Sequence, residues 1–501
     1  MQETGTSTAE FFSNLVATLN GYIWSSALIY LALGAGLFYS ILTRFVQVRL
    51  FGEMIRLLFS SKESERGISS FQALAVSLSG RVGTGNIAGV AAAIGFGGPG
   101  AVFWMWVVAF LGSATAYIES ALGQIYKEVD EGQFRGGPAY YIEKAMGQKW
   151  YAWIFALATI FACGVLLPGV QSNSIGNAAN LAVGGDTMVN FLGDLVPVDK
   201  LVTGVVVVCV LGFIIFGGVK RIAHVTQVIV PFMALGYILM AVGIIGYHIS
   251  ELPAIIALIL GDAFSPMAGV GAAIGWGVMR GIYSIEAGQG SGPHAAAASE
   301  VEHPAQQGLV QSFSVYVDTL FVCSATAFMI LITQQYYVSG LDAAVSGGVL
   351  SSNVIISSPA FTQLALESVM GGFGKTFVAV ALFFFAFTTL LAYYYIAETN
   401  VAYIRRTIHL PWLLNLLKIV TLFSVFYGTI RQADLAWAMG DLGVGLMAWL
   451  NIIGILILFF MGRPALRALK DYEEQRKAGV TKYTFDPNKL GIKNADFWEK
   501  N

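Results

Sequence analysis

Long apolar runs recur along the chain, and short polar segments separate them. A helix that crosses the hydrocarbon core of a bilayer needs about 20 predominantly apolar residues. Windows of that length predict an all-α, polytopic membrane protein with about eleven membrane-spanning helices. The expected spans lie near residues 22–43, 71–95, 100–125, 151–182, 201–217, 225–248, 266–289, 306–334, 375–400, 412–430 and 437–462.

Two of these runs carry glycine and polar residues in their middle. The second contains SGRVGTGNIAGV (Ser79–Val90), and the seventh contains GWGVMRGIYSIEAGQGSGP (Gly275–Pro293). Glycine lowers the cost of leaving a helix because it tolerates positive φ. Non-helical backbone survives at membrane depth only where it lines a cavity or is buried in protein. We therefore expect both helices to break at these segments.

A broken helix has free backbone groups that can bind a ligand. The freed N–H groups suit a carboxylate, and the freed carbonyl groups suit a cation. The segment Gly83-Thr84-Gly85-Asn86 therefore predicts a site for an amino acid and a sodium ion. Two alternatives stay open. The glycines of this segment could serve only close helix packing, which is the preferred explanation for those from Gly89 to Gly100, and Asn86 could serve only to satisfy freed backbone groups.

The two breaks occupy matching places in the chain. They fall in the first and sixth of the spans that follow an additional N-terminal span, and the two helices enter the membrane from opposite sides. This pattern is typical of a secondary transporter built from inverted repeats. We predict an external N-terminus, an extra helix and a basic loop in residues 1–70, five-helix repeats at 71–250 and 251–462, and a solvated tail at 463–501 with no role beyond topology.

Charge is scarce, and its distribution predicts the orientation. The chain has 501 residues, 56% of them hydrophobic and 12% charged, and its net charge of −2 gives no reason to expect a nucleic-acid partner. Loops on one side of the predicted bilayer hold 22 of the 28 Lys and Arg residues, and those on the other side hold three. Because cytoplasmic loops are enriched in Lys and Arg, we expect the N-terminus outside the cell membrane and the tail in the cytoplasm.

Two glycine motifs resemble nucleotide-binding sites but do not fit their surroundings. Gly83–Ala88 matches G-x-G-x-x-A, a fingerprint that requires a preceding strand in a βαβ unit. Gly374-Lys375-Thr376 resembles the end of a phosphate-binding loop, but Val369 occupies the position of its first glycine. We therefore predict no nucleotide. The sequence also offers no nucleophile–base pair, so we do not expect an enzyme.

Ionisable side chains within membrane spans are costly, so each is a candidate functional residue. Glu119 and Glu398 lie near the cytoplasmic ends of their predicted spans. We predict that they pair with Arg81 or Arg280 in an internal gate.

Other polar residues within the spans have weaker assignments. Glu286, at the second break, is expected to face a substrate amine or to order the break, and Asp318 is interpreted as a polar contact between helices. Adjacent threonines such as Thr388 and Thr389 often bond only to their own helix, so alone they are weak evidence for a site. The predicted lining of an external vestibule is Gln171, Asn173 and Asn177.

Three segments resemble the alanine or glycine:cation symporter family. They are FQALAVSLSGRVGTGNIAGVAAAIGFGGPGAVFWMWVVAFLGSATAYIES (Phe71–Ser120), RGIYSIEAGQGSGPHAAAA (Arg280–Ala298) and FTTLLAYYYIAE (Phe387–Glu398). The resemblance implies a leucine-transporter-type fold with ten core helices in two inverted repeats. It also implies sodium-coupled import of a small neutral amino acid, alanine or glycine, by alternating access across the cell membrane.

The resemblance further implies roles for particular residues. Sodium would lie between the first and eighth core helices, held by the carbonyls of Ser79 and Val82 and the hydroxyls of Thr388 and Thr389. The substrate carboxylate would meet the N–H groups of Thr84 and Gly85, near Asn86. The amine would meet carbonyls around Gly80 and Gly281 and the Thr389 hydroxyl. The residues that would close the pocket around the substrate side chain are Tyr283, Ser284 and Tyr393.

Two departures from the family pattern fall on the implied pocket. The chain has Ala392-Tyr393 where members commonly have Gly-Trp, and Tyr283-Ser284-Ile285 where they have Phe-Ser-Asn. A tyrosine in place of a tryptophan leaves room, and a hydroxyl, for a longer polar substrate, so glutamine import is one alternative. Proton coupling through Glu119 or Glu286 is another. A channel is disfavoured because channels usually show symmetric pore rings or filters.

Overall fold

The computed structural model describes residues 8–59, 67–185, 187–191 and 194–499, and the described chain is mostly helical. The helices of the first part are α1 (Thr8–Ile23), α2 (Ser26–Leu42), α3 (Val46–Arg49), α4 (Phe51–Phe59), α5 (Ser70–Arg81), α6 (Val90–Gly97), α7 (Ala101–Ile125), α8 (Pro138–Met146), α9 (Lys149–Phe161), α10 (Leu167–Val183), α11 (Val198–Ile215) and α12 (Gly218–Tyr247). Those of the second part are α13 (Leu252–Phe264), α14 (Val270–Ile285), α15 (Gly292–Ala298), α16 (Pro304–Tyr316), α17 (Ser324–Ile332), α18 (Ala343–Ser346), α19 (Ala360–Met370), α20 (Gly374–Arg405), α21 (Leu413–Ile430), α22 (Ala433–Phe460), α23 (Pro464–Lys477) and α24 (Asp496–Glu499).

Among the described residues, eight helical stretches are long and apolar enough to cross a membrane, or nine if the bent pair α1–α2 counts as one span. The eight stretches coincide with eight of the spans expected from the sequence, which confirms a polytopic membrane protein. Three of them continue through π-helical turns or a 3₁₀ turn rather than through regular α-helix alone. These turns are Ala162–Leu166, Val317–Cys323 and Gly371–Phe373.

The spans differ in how deeply they lie in the bundle. The most apolar window of α16–α17 is 78% buried, whereas those of α11 and α21 are 28% buried. A helix that is apolar on all sides but mostly exposed in a membrane protein faces lipid, so α11 and α21 are peripheral. The short helices α6 and α15 are almost completely buried, as are the ends of α5 and α14 that lead toward them, and these segments pack against α7 or α16 in the centre of the bundle.

The expectation of an all-α fold is wrong in detail, because two short antiparallel hairpins join helices. Strands β1 (Glu128–Asp130) and β2 (Gln133–Arg135) form the first, and β3 (Met188–Phe191) and β4 (Asp194–Pro197) form the second. Both hairpins lie in connections between spans. Their strands, of three or four residues each, are too short to produce a pattern comparable to a long apolar run. The short helix α19 begins directly after Pro359.

The loops predicted to share one side of the membrane do meet at one end of the structure. Arg49 pairs with Glu473, Lys144 pairs with both Glu128 and Asp496, and Ile68 forms a bridge with Ser299. We refer to this end as the tail end, because α23 and the segment after it cover it. The expectation of a solvated tail is wrong: this segment contributes buried side chains, including those of Tyr472, Tyr483, Phe485, Ile492 and Ala495.

Small residues allow the lipid-facing helices to approach the core closely. A Cβ atom added to Gly428 on α21 would lie 2.5 Å from the Cα atom of Gly169 on α10. Because lipid is as apolar as leucine, helix association in membranes relies on such close van der Waals packing. The α10–α21 contact therefore leaves no room for a side chain at Gly428.

We predict that Gly428→Ala lowers the apparent melting temperature of the purified protein, because overpacking costs about 1–3 kcal/mol. Thermal unfolding followed by intrinsic fluorescence in detergent measures the effect. Gly236→Ala on α12 is the matched control, since a Cβ there meets nothing within 4 Å. Equal melting temperatures for the two variants would contradict the packing argument.

Candidate functional site

The first candidate break lies between α5 and α6. Regular α-helix ends at Arg81, and a π-helical turn over Gly85–Gly89 leads into α6. Two backbone N–H groups released here bond to side chains. The N–H of Gly83 donates to Asn86 Oδ1 at 2.8 Å, and that of Thr84 donates to Gln171 Oε1 at 3.0 Å.

Asn86 therefore satisfies freed backbone, which is one of the roles that the sequence left open. The buried hydroxyl of Thr84 has no hydrogen-bond partner among the described residues. Gln171, expected to line a vestibule, instead lies at this break and is fully buried. At this break, side chains thus accept the freed backbone N–H groups, and the buried Thr84 hydroxyl is left for a ligand to bind.

The second candidate break lies between α14 and α15. Helix α14 ends at Ile285, and Glu286 adopts the left-handed conformation with φ of +53°. Such a conformation is uncommon for a residue other than glycine and clusters at functional sites. The carboxylate of Glu286 accepts a hydrogen bond from Ser291 Oγ at 2.9 Å, and Tyr393 lies within hydrogen-bonding reach of it.

Glu119 on α7 supports the loop of this second break. Its Oε2 atom accepts the N–H groups of Gly288 and Gly290, each at 3.2 Å, and the amide of Asn451 at 2.8 Å. Asn451 also donates to the carbonyl of Gly288 at 3.0 Å. Freed backbone donors and acceptors within the bundle are thus met by two side chains from neighbouring helices.

Asp318 and Arg81 join the two breaks. Asp318 accepts hydrogen bonds from Asn86 Nδ2 at 2.6 Å and from Ser284 Oγ at 2.9 Å, which confirms its interpretation as a polar contact between helices. Arg81, at the end of α5, donates to the carbonyl of Ile285, at the end of α14, at 2.6 Å. The ends of α5 and α14 are therefore fixed to each other.

Three oxygen atoms converge where α20 passes the end of α5. The Thr389 hydroxyl lies 2.7 Å from the Ser79 carbonyl and 2.9 Å from the Phe385 carbonyl. The neighbouring Thr388 hydroxyl bonds instead to the carbonyls of Phe384 and Phe385 in its own helix, at 2.9 and 3.0 Å. Carbonyl and hydroxyl oxygens are hard ligands that suit a cation without redox chemistry. The cluster of Ser79, Phe385 and Thr389 could therefore hold a sodium ion.

The remaining residues predicted for the site are all buried around the breaks. A Cβ added at Gly80 would lie 2.9 Å from Glu286 Oε2, so that carboxylate faces the end of α5 directly. A Cβ at Gly85 would lie 3.2 Å from the Tyr283 ring. Gly281 differs, because a Cβ added there would lie 3.2 Å from Val108 on α7, as expected for a packing glycine. Val82 is buried at the end of α5, where its N–H bonds to the carbonyl of Leu78.

The predicted pairing of Arg81 or Arg280 with Glu119 or Glu398 is wrong for Arg280 and Glu398. Arg280 Nη2 lies 2.5 Å from Asp441 Oδ2, and Glu398 lies 3.5 Å from Arg135. Arg81 is hydrogen bonded to the carbonyl of Ile285 and to Ser314. The sequence alone could not identify these partners, because they depend on how helices that are distant in the chain pack together.

Arg280 and Asp441 form a covered ion pair at the end of the site opposite the tail end. Both side chains are nearly inaccessible to solvent, and the guanidinium carbon lies 4.7 Å from the centroid of the Trp437 ring. A Cβ at Gly89 would lie 3.6 Å from the same indole. Sequence reasoning missed Asp441, although an acid inside a predicted span was a signal that could have found it.

We predict that Asp441→Asn destabilises the protein, because breaking a buried ion pair leaves Arg280 uncompensated at a cost of about 3–5 kcal/mol. The melting temperature of the purified variant measures the loss. Asp434→Asn, at an exposed position in the first turn of the same helix, is the control and should melt like the parent. A parental melting temperature for Asp441→Asn would show that the pair does not hold α14 to α22.

Comparison with known proteins identifies the family of the chain. The chain matches the model of the sodium:alanine symporter family over residues 9–487. YrbD of Bacillus subtilis (strain 168) is 57% identical, with 97% of this chain and 98% of the relative covered. The sodium/proton-dependent alanine carrier protein of Bacillus sp. (strain PS3) is 48% identical (89% and 97% covered), and the sodium/alanine symporter AgcS of Methanococcus maripaludis is 36% identical (89% and 95% covered). The chain therefore belongs to the sodium:alanine symporter family.

Proposed function

We propose that this protein imports alanine together with sodium across the cell membrane by alternating access. The observation that carries the proposal is the convergence of the Ser79 carbonyl, the Phe385 carbonyl and the Thr389 hydroxyl beside the first break. Two relatives named above for alanine transport, each covered over most of its length, support the same substrate and ion.

The proposed topology has eleven spans. Eight are single helical stretches and a ninth is the bent pair α1–α2. The pairs α5–α6 and α14–α15 would supply the other two, each interrupted near the middle of the bilayer. The segments 71–250 and 251–462 would then be inverted repeats. The excess of Lys and Arg in the loops at the tail end favours a cytoplasmic location for that end.

The proposed substrate position lies between the two breaks. The alanine carboxylate would replace Gln171 as the acceptor of the Thr84 N–H group and would also reach the Thr84 hydroxyl and the N–H of Gly85. The ammonium group would lie near Gly80, where Glu286 supplies a negative charge. Tyr283, Ser284 and Tyr393 would close the pocket around the methyl group.

Coupling follows if sodium and alanine stabilise the same break. Sodium would bind the carbonyl end of α5 and alanine the N–H groups that follow, so either ligand would order the segment that the other needs. Each sodium ion moving inward gains about 2.3 kcal/mol per 100 mV of membrane potential, enough for accumulation on the order of tens-fold. The Arg280–Asp441 pair would close the site on the outer side and separate during each cycle.

Proton coupling is a second candidate, because the carrier from Bacillus sp. (strain PS3) is named as sodium/proton-dependent. Glu286 is a buried carboxylate at the second break, and Glu119 is another that supports it. Protonation of either carboxylate could change the conformation of the break. Glutamine remains the alternative substrate, because the Tyr283 and Tyr393 hydroxyls could contact a longer polar side chain.

Proteoliposomes test the main proposal. We predict that an inward sodium gradient drives saturable accumulation of labelled alanine, and that choline in place of sodium at fixed pH abolishes it. Excess unlabelled glutamine should leave alanine uptake unchanged. Uptake that persists in choline and follows an imposed pH gradient would establish proton coupling. Inhibition of the labelled uptake by excess glutamine would establish the alternative substrate.

The two adjacent threonines provide a matched test of the sodium site. We predict that Thr389→Val raises the sodium concentration for half-maximal uptake about tenfold or more, because a bond to a charged group contributes about 1.5–3 kcal/mol. Thr388→Val should leave that concentration close to the parental value, since its hydroxyl bonds to its own helix. Equal effects of the two variants would place the ion elsewhere.

A further inference from the structure

The carboxyl-terminal segment, residues 478–499, folds back onto the tail end of the bundle. Phe485 packs against Trp498 with ring centroids 5.2 Å apart. Trp498 Nε1 donates to the carbonyl of Gln124 at 2.9 Å, and Lys144 pairs with Asp496 at 2.9 Å. The segment is therefore bound to α7 and α8 by polar contacts as well as by apolar packing.

A second attachment joins this region to the loop after α15. Burial lowers the pKa of His303, so its imidazole is neutral at pH 7. Nδ1 accepts the N–H of Ala305, which leaves the proton on Nε2, and Nε2 lies 3.2 Å from Asp471 of α23. The His303 ring also contacts Phe485 at 5.1 Å.

Lys127 lies between the carboxyl-terminal segment and the end of α15. Its Nζ atom donates to the carbonyl of Ser299, directly after α15, at 2.9 Å. The same atom lies 4.4 Å from the centroid of the Phe497 ring, 4.5 Å from that of Phe134 and 5.3 Å from that of Trp498. An ammonium group enclosed by aromatic faces gains more than one exposed to water.

The residues that Lys127 reaches belong to the part of the protein that must move. Helix α15 is the short half that follows the second break, and Ile68, just before α5, bonds to the carbonyl of Ala298 at its end. The Gln124 amide also donates to Ser299 O at 2.9 Å. The Ser299 carbonyl thus joins the end of α15 to Gln124 of α7 and to Lys127, and the Ala298 carbonyl joins the same end to the residue before α5.

We propose that Lys127, enclosed by Phe497 and Trp498 of the carboxyl-terminal segment, is a positioning residue that holds the inner gate closed. This rests on the proposed function and orientation, in which α5 and α15 swing apart to release substrate to the cytoplasm. The segment acts as a clamp: while Trp498 is seated, Lys127 remains bonded to Ser299 O and the inner ends of the broken helices stay together.

Accessibility of a cysteine at Ala298, which is 4% exposed, tests the clamp. The Ala298→Cys protein in inside-out vesicles is treated with a membrane-impermeant maleimide without substrate. Trp498→Ala and Lys127→Met should each raise the labelling rate by about two- to thirtyfold, the range expected for loss of a cation–π contact. The double variant should label no faster than the faster single variant, because both changes release one clamp.

Matched variants separate the clamp from general loosening. Trp498→Phe keeps an aromatic face and should restore slow labelling, whereas Trp150→Ala and Lys149→Met, at exposed positions on the same end, should have no effect. The parent with its native cysteines gives the background rate. Parental labelling in both Trp498→Ala and Lys127→Met overturns the proposal, as does faster labelling in Trp150→Ala.

The readout is independent of transport. Absence of sodium-dependent alanine uptake by the parent would refute the proposed function, yet the labelling rates would still decide whether the segment restrains α15. Melting temperatures of the Trp498 and Lys127 variants that match the parent show that each variant is folded. If Trp498→Ala is unfolded, Trp498→Leu takes its place in the comparison.

Discussion

The need to satisfy every backbone polar group away from water governs this structure. An unpaired N–H or C=O group in hydrocarbon costs several kcal/mol, so a helix can end inside a bundle only where other groups take over its bonds. Both candidate breaks meet this condition through side chains from elsewhere in the chain. Asn86 and Gln171 accept the freed N–H groups after α5, and Glu119 and Asn451 bind the loop after α14.

The same requirement explains why the centre of the bundle is rich in ionisable residues. Arg81, Arg280 and Asp318 are each held by a partner on another helical segment. Arg81 caps the end of α14 through the carbonyl of Ile285, Arg280 ties α14 to α22 through Asp441, and Asp318 bonds to both breaks. Since breaking one such contact leaves a buried charge, the arrangement favours discrete alternative packings over gradual deformation. That property suits a protein whose site must face two compartments in turn.

Ligand binding and gating would then act on the same few backbone segments. The oxygen cluster at Ser79 and Thr389 lies where α20 passes the end of α5, and the Arg280–Asp441 pair lies on the other side of the site. The carboxyl-terminal segment reaches the end of α15 through Lys127. Three contacts of different chemistry therefore adjoin the segments α5–α6 and α14–α15.

The sequence by itself determined eight of the expected membrane spans, the two glycine-rich segments and the family motifs. These are local properties, because the length of an apolar run and the spacing of glycines do not depend on distant residues. Local sequence also indicated Asn86 and Asp318 as polar contacts. It could not show that Thr389 rather than Thr388 faces Ser79, because a one-residue step on a helix turns the side chain by about 100° and only packing selects the face.

Only the tertiary structure decided the long-range partners. Asp441 for Arg280, Arg135 for Glu398, Gln171 for Thr84 and the docking of Trp498 beside Lys127 each join residues far apart in the chain. Charge and polarity mark such residues as needing a partner, but several candidates of the right sign lie on different helices. The choice among them follows from which helices pack side by side, and that is a property of the assembled bundle.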